Sequence, residues 1–156
     1  MRGTQAFAVL AGGAMLAITA CEPPEEMAEP ETMDAGPDKE VLVEGGALPY
    51  SPVVRSGDLL FLSGMIGVDA DAEDQGAAAE TRRVLEDIES TLDEVGASMG
   101  DAVKCTVFLV DMDDYNAMNE TYAEFFPEDA PARSTVAVAE LPAGAEVEIE
   151  CIVATG

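Results

Sequence analysis

The chain has 156 residues, of which 32 are acidic and 7 basic, and its formal net charge is −25 at pH 7. Its length suits one domain with short appendages. This charge argues against binding to nucleic acid or to anionic membrane surfaces, since both need clustered Lys and Arg. The absence of His excludes imidazole catalysis and histidine metal sites. The acidity reflects either ordinary solvation or a saline habitat.

The first 20 residues are predicted to be a lipoprotein signal peptide. Arg2 precedes a mostly apolar run over 6–20, which is too short for a comfortable membrane-spanning helix and fits a signal-peptide core. The run ends in Ile-Thr-Ala-Cys, which resembles a bacterial lipobox. We therefore expect lipidation at Cys21 and anchoring in the bacterial cell envelope. Because Glu22 follows, we expect the periplasmic side of the outer membrane; a plain secretory signal is the alternative.

Residues 21–40 are predicted to be a disordered tether that leads to a single domain at 41–156. The segment is rich in Pro and Glu and almost free of large aliphatic side chains. It cannot bury enough apolar area to offset the entropy lost on ordering. Repulsion among its like charges should keep it extended.

The first half of the domain predicts strands followed by a helix. Short strands are expected at 41–43 and 52–54, and the apolar run 59–68, interrupted at Gly64, is a strong strand signal. Residues 77–95 predict an amphipathic helix that is closed by Gly96. The apolar stripe of this helix consists of Val84, Leu85, Ile88, Leu92 and Val95.

The second half predicts a strand, a helix and two further strands. Both faces of 102–110 are largely apolar, which is typical of a central strand. Residues 111–126 predict a helix with Asp113 or Asp114 as its N-cap. Further strands are expected at 133–140 and 145–154. The buried stripe of the second helix is predicted to be Tyr115, Met118, Tyr122 and Phe125.

This order of elements predicts an α+β sandwich with two helices on one face of a mixed sheet. The other sheet face is then uncovered, and a partly apolar uncovered face is usually buried by oligomerisation. In the last strand, Val147, Ile149, Cys151 and Val153 are expected to meet the helices. Glu146, Glu148 and Glu150 alternate with them and face outward, either as solvated side chains or as part of an interface pocket.

Three residues of the second half leave more than one interpretation open. From Cys105 onward, Arg133 is the only basic residue among eleven Asp and Glu. Arg133 either forms a structural salt bridge to a strand glutamate or binds a ligand. Cys105 and Cys151 both lie on strands. An oxidising compartment would permit a bridge between them, but two free buried thiols are the commoner outcome.

The segment PARSTVAVAELPAGAEVEIECIV resembles the C-terminal signature of the RidA (YjgF) family. The segments LPYSPVVRSGDLLFLSG and GDAVKCTVFLVDMDDYNAMNETYAEFF agree with the same family in order and spacing, so the resemblance covers 41–156. It implies a chorismate-mutase-like fold and a homotrimer with clefts between subunits. It also implies hydrolysis of reactive 2-imino acids, such as the imine of 2-aminoacrylate, to 2-keto acids and ammonia. No metal or organic cofactor is implied.

The resemblance also implies the site residues. Arg133 matches the arginine that holds the substrate carboxylate, and Glu148 matches the glutamate that handles the attacking water. Departures from the family pattern are Thr135, where many members have Cys, and Met65, where Gln is common. The other expected pocket residues are Tyr50 from the neighbouring subunit, Ser63, Gly64, Asn119 and Thr135.

An arginine and a carboxyl group suffice for this chemistry. A guanidinium grips a carboxylate through two parallel hydrogen bonds, and a carboxyl group can take a proton from water and pass it to the departing ammonia. The imine is already reactive, so modest positioning is enough. The alternative function is a non-catalytic lipoprotein that binds a small carboxylate or a partner protein in the same cleft. An endoribonuclease role fits poorly with the charge.

Overall fold

A computed structural model describes residues 39–156. The predictions for the signal peptide, for Cys21 and for nearly all of the tether lie outside the described residues. Within them, no helix is long and apolar enough to cross a membrane. The elements are β1 (Lys39–Val43), β2 (Val53–Ser56), β3 (Leu59–Leu62), β4 (Met65–Ile66), α1 (Ala77–Glu94), β5 (Ala102–Leu109), α2 (Tyr115–Phe125), β6 (Ala132–Ala137) and β7 (Val147–Ala154).

The described strands form one mixed sheet in the order β1-β2-β3-β7-β5-β6, with β4 paired to β7. Strand β6 runs parallel to β5, whereas the other pairings are antiparallel. The parallel pair is possible because the connection from β5 to β6 is long enough to include α2. Strand β5 is therefore internal, as predicted, and β6 lies at an edge. The α+β class with a mixed sheet is confirmed.

Both helices bury their apolar stripes in one core with the sheet. The predicted stripe of α1 is confirmed, with Val95 partly exposed at its end. Gly96 has a φ of +75°, the left-handed conformation that a glycine adopts just past a helix. In α2, Met118 and Tyr122 are buried as predicted, but Tyr115 is 36% exposed. Phe126, just beyond α2, is buried more deeply than Phe125.

The beginning of α2 differs from the prediction. The side chain of Asp111 accepts a hydrogen bond from the backbone N–H of Asp113 and starts a short 3-10 turn, Met112–Asp114. Asp114 directly precedes α2 and makes no side-chain capping bond. Asp114 therefore occupies the predicted N-cap position, but the side-chain capping bond is made earlier, by Asp111, because the 3-10 turn comes before the first α-helical turn.

Strand β7 alternates as predicted between a buried and an open face. Val147, Ile149, Cys151 and Val153 are buried, whereas Glu148 is partly exposed and Glu150 is exposed. Glu146 precedes the strand, and its carboxylate lies beside Gly76 at the start of α1. The prediction that Glu146 shares the open face was therefore wrong.

The open sheet face carries a band of apolar side chains. Val41, Val54, Phe61 and Ile152 follow one another across β1, β2, β3 and β7. Val41 and Phe61 are exposed, and so is Val136 on β6. Such a band on an uncovered face is typical of a surface that associates with another chain.

Cys105 and Cys151 form a disulfide bond. They stand directly opposite each other on the antiparallel strands β5 and β7, with their Cα atoms 4.1 Å apart, and both are buried. The expectation of two free thiols was therefore wrong. The bond is explained by the register between β5 and β7, which are distant in sequence but adjacent in the sheet. This register places both cysteines opposite each other on the same face.

Candidate active site

Arg133 lies on the helix-covered face of the edge strand β6. Its neighbour across the parallel pairing is Cys105, whose side chain is buried toward the helices. Neighbouring residues on paired strands share a face, so the side chain of Arg133 extends toward α2. This direction is opposite to that of Glu148 and Glu150 on β7.

The guanidinium of Arg133 is held by three neutral side chains of α2. Nη2 donates a hydrogen bond to Oδ1 of Asn119 at 2.5 Å, and Nη1 lies 4.0 Å from Sδ of Met118. The ring of Tyr122 lies below the guanidinium, 4.5 Å from Cζ to the ring centroid, in a cation–π contact. Within 39–156, no carboxylate lies within ion-pair distance of Arg133. A salt bridge from Arg133 to a strand glutamate is thus not formed.

Two tyrosines of α2 flank Asn119 on the same side of the helix. Burial raises the pKa of Tyr122 to about 12, against a smaller opposite effect of the Arg133 charge. One turn before Asn119, the exposed Tyr115 has a lowered pKa, mainly because of Asn119 and then because of Arg133. The sequence interpretation assigned both tyrosines to the core only. Their helical spacing from Asn119 was the signal that could have placed them beside the site.

Thr135 follows Arg133 by two residues and lies beside the buried Val107 on β5. Its hydroxyl Oγ1 is buried and has no hydrogen-bond partner in the described part of the chain. This hydroxyl lies on the same face of β6 as the guanidinium. The pocket around the arginine has a volume of about 400 Å³, and we call it the Arg133 pocket. It is lined by Asn119, Tyr122, Ala123, Phe126, Ala130, Pro131 and Arg133.

Glu148 lies in a second cavity of about 390 Å³, which we call the Glu148 cleft. The hydroxyl of Ser63 donates to the carbonyl of Ser51 at 2.8 Å, and the backbone N–H of Ser63 donates to the carbonyl of Pro52. These bonds fix the end of β3 against the segment that follows Tyr50. The cleft is lined by Leu48, Tyr50, Ser63, Gly64, Ile66, Pro142 and Glu148.

Gly64 gives the carboxylate of Glu148 its space. A Cβ atom at position 64 would overlap Oε1 of Glu148. The Ser-Gly pair therefore combines a hydroxyl that anchors the chain with a residue that leaves room for the carboxylate.

The pKa of Glu148 is raised above its usual value of 4.5. Burial is the main cause, and the negative charge of Glu150 is the second. A carboxyl group whose pKa lies closer to neutral pH takes up and releases a proton more readily. Such a shift in a cavity is typical of acid–base residues.

The structure places the predicted site residues in two groups on opposite faces of the sheet. Along β5, Cys105 neighbours Arg133 and Phe108 neighbours Glu148, and an odd separation of three residues puts these positions on opposite faces. Tyr50, Ser63 and Gly64 lie with Glu148, and Asn119 and Thr135 lie with Arg133. One protomer therefore does not bring Arg133 and Glu148 together. In the described residues, no cluster of three or more Cys, Asp or Glu is arranged to hold a metal ion.

These features define a small α+β protein whose candidate site residues lie in two cavities on opposite faces of one mixed sheet. The family model described as Endoribonuclease L-PSP matches residues 45–155. The chain belongs to this family, which is the RidA family that the sequence resembles.

Two relatives named as deaminases extend the comparison. The chain is 41% identical over 112 residues to a protein of Arabidopsis thaliana named Reactive Intermediate Deaminase A, chloroplastic. The match covers 67% of this chain and 57% of that protein. It is 39% identical over 108 residues to the 2-iminobutanoate/2-iminopropanoate deaminase of Dermatophagoides farinae, covering 67% and 84%.

Solved structures support the fold. RidA from the Antarctic bacterium Psychrobacter is similar with a TM-score of 0.65 and 34% identity, covering 72% of this chain and 93% of that one. Escherichia coli TdcF with bound serine is similar with a TM-score of 0.66 and 34% identity, covering 73% and 94%.

Proposed function

We propose that the protein hydrolyses reactive 2-imino acids to 2-keto acids and ammonia. The observation that carries the proposal is the uncompensated guanidinium of Arg133, which neutral side chains hold in a chain of net charge −25. A cation that no carboxylate of residues 39–156 pairs with, in so acidic a protein, is suited to an anionic ligand. The names of the two deaminase relatives support the reaction.

We propose further that the active site is completed between subunits of a homotrimer. Arg133 and Glu148 lie on opposite faces of one sheet, so the Arg133 pocket of one subunit has to meet the Glu148 cleft of another. Tyr50 would then come from the subunit that supplies Glu148. The exposed apolar band on the open sheet face supports association, because burying it would remove apolar area from water.

In this site, Arg133 binds the substrate carboxylate through two parallel hydrogen bonds and orients the adjacent C=N carbon. Glu148, as a carboxylate, takes a proton from a water molecule whose oxygen adds to that carbon. The electron pair of the C=N bond moves to nitrogen, which takes the proton that Glu148 received from the water. Glu148 then takes the proton of the new hydroxyl and delivers it to the amino nitrogen, so that the C–N bond breaks and the 2-keto acid and ammonia leave.

For location, we propose export and lipid anchoring at Cys21 in the cell envelope. The lipobox-like segment supports this proposal. The disulfide between Cys105 and Cys151 supports it independently, because disulfides persist mainly in oxidising compartments. The family description also names an endoribonuclease, but a net charge of −25 is unfavourable for binding an RNA backbone.

The experiment generates 2-iminobutanoate with an amino acid oxidase and follows the loss of the imine by trapping with semicarbazide. We expect Arg133→Ala to reduce hydrolysis by at least about 100-fold, because charge-assisted hydrogen bonds to the carboxylate are lost. Arg82→Ala is the matched control, since Arg82 makes only a surface salt bridge with Glu124. Hydrolysis by Arg133→Ala at the wild-type rate, with the assembly intact, would contradict the proposal.

A further inference from the structure

Tyr122 contacts the Arg133 guanidinium through the face of its ring. Tyr122 is 4% exposed, and the ring of Phe126 packs against its ring with centroids 4.7 Å apart. Met118, Asn119 and Tyr122 present a sulfur atom, an amide oxygen and an aromatic face to the same cation. These groups sit at helical spacing, so one face of α2 surrounds the guanidinium.

Each of these three groups attracts a cation without neutralising it. A carboxylate in the same place would hold the arginine equally well, but it would compete with an anionic ligand. The chain has 32 acidic residues, and yet within 39–156 none of them forms an ion pair with Arg133. The aromatic face is buried, and cation–π attraction strengthens when water is excluded.

We propose that Tyr122 is a positioning residue that holds the Arg133 guanidinium through its ring and leaves the full positive charge for the substrate carboxylate. In this role Tyr122 acts through Arg133, whose guanidinium it orients. Its effect should therefore appear in binding of the carboxylate and not in the chemical step. The inference rests on the proposed function, because it assigns Arg133 to a carboxylate.

The kinetic test compares three variants of the full chain. Tyr122→Leu removes the aromatic face, and Tyr122→Phe keeps it without the hydroxyl. Phe125→Leu is the matched control, because Phe125 is another aromatic residue of α2 that packs against the core but lines neither the Arg133 pocket nor the Glu148 cleft. For 2-iminobutanoate, we expect Tyr122→Leu to raise KM by about 5- to 30-fold with little change in kcat. Tyr122→Phe and Phe125→Leu should keep the wild-type KM.

A spectroscopic readout needs no substrate. The Nε–H signal of Arg133, assigned by its absence in Arg133→Lys, should be shifted upfield by the Tyr122 ring. We expect the shift to be kept in Tyr122→Phe and Phe125→Leu and lost in Tyr122→Leu. An unchanged Arg133 signal or an unchanged KM in Tyr122→Leu would overturn the inference, as would an equal KM effect in Phe125→Leu. If wild type binds 2-oxobutanoate no better than its neutral amide, the proposed function fails, while the Arg133 signal still decides the positioning role.

Discussion

The carboxylate of Glu148 occupies the volume that a side chain at Gly64 would fill. The first prediction follows from this overlap. We expect Gly64→Ala to displace the carboxylate from the Glu148 cleft and to lower kcat for imine hydrolysis by about 10- to 100-fold, because a small misplacement of a catalytic group is costly.

The matched control is Gly100→Ala. A Cβ at Gly100 would meet only Oγ of Ser98, at 3.7 Å, and the backbone there is not in the left-handed region. We expect this variant to retain wild-type activity and a wild-type melting temperature. Equal kcat values for the two variants would show that Gly64 does not make room for the catalytic carboxylate.

The second prediction concerns the acid limb of the pH profile of kcat/KM. Glu148 acts as a base only when ionised, so kcat/KM should rise with pH through the pKa of Glu148, which lies above 4.5. Replacing Glu150 with Gln removes the second cause of the raised pKa and should move the limb to lower pH. Burial remains, so the pKa that the limb reports should stay above the usual value for a glutamate. Glu94→Gln, at the end of α1, is the control; a limb that Glu150→Gln leaves in place would contradict the assignment of Glu148 as the base.

A third prediction concerns alkaline pH. Asn119 and Arg133 lower the pKa of Tyr115 below the usual value of 10. When this phenol ionises, its negative charge stands beside the guanidinium and competes with the substrate carboxylate. We therefore expect KM to rise with pH below the usual titration range of tyrosine. Tyr115→Phe should remove this rise, and a KM that rises equally in both proteins would assign the effect to another group.

The fourth prediction is that the disulfide contributes to stability. Replacing Cys105 and Cys151 together with Ala should lower the free energy of unfolding by roughly 2–4 kcal/mol, a typical effect of losing a native disulfide. Thermal melting with and without reductant measures the change, and intact mass after alkylation reports whether the bond is present. Alkylation of both Cys105 and Cys151 in protein purified without reductant would disprove the bond.

Local patterns predicted much of the fold. The helical period of α1 and the strand alternation of β7 are both carried by neighbouring residues, and both agree with the structure. The sequence of β6 alone did not indicate on which sheet face the Arg133 side chain lies, because both faces of this edge strand are partly exposed. It depends on the parallel register with β5. The bond between Cys105 and Cys151 depends in the same way on a long-range register.

For the same reason, the residues of the candidate site were predicted but their arrangement was not. The family resemblance supplied the residue types, from Arg133 to Glu148, but not their division between two faces. That division arises only when β5 places its neighbours on alternate sides. The role of Tyr122 was missed because a buried aromatic residue on a helix is most simply explained by the core.

Because Arg133 and Glu148 lie on opposite sheet faces, two inactive variants should be able to restore activity to each other. If every cleft takes its arginine from one subunit and its glutamate from the next, two inactive proteins can complement each other. Arg133→Ala and Glu148→Gln subunits, denatured and refolded together, would form mixed rings in which one cleft combines an intact arginine with an intact glutamate. Activity should then appear in a mixture of two proteins that are each inactive alone.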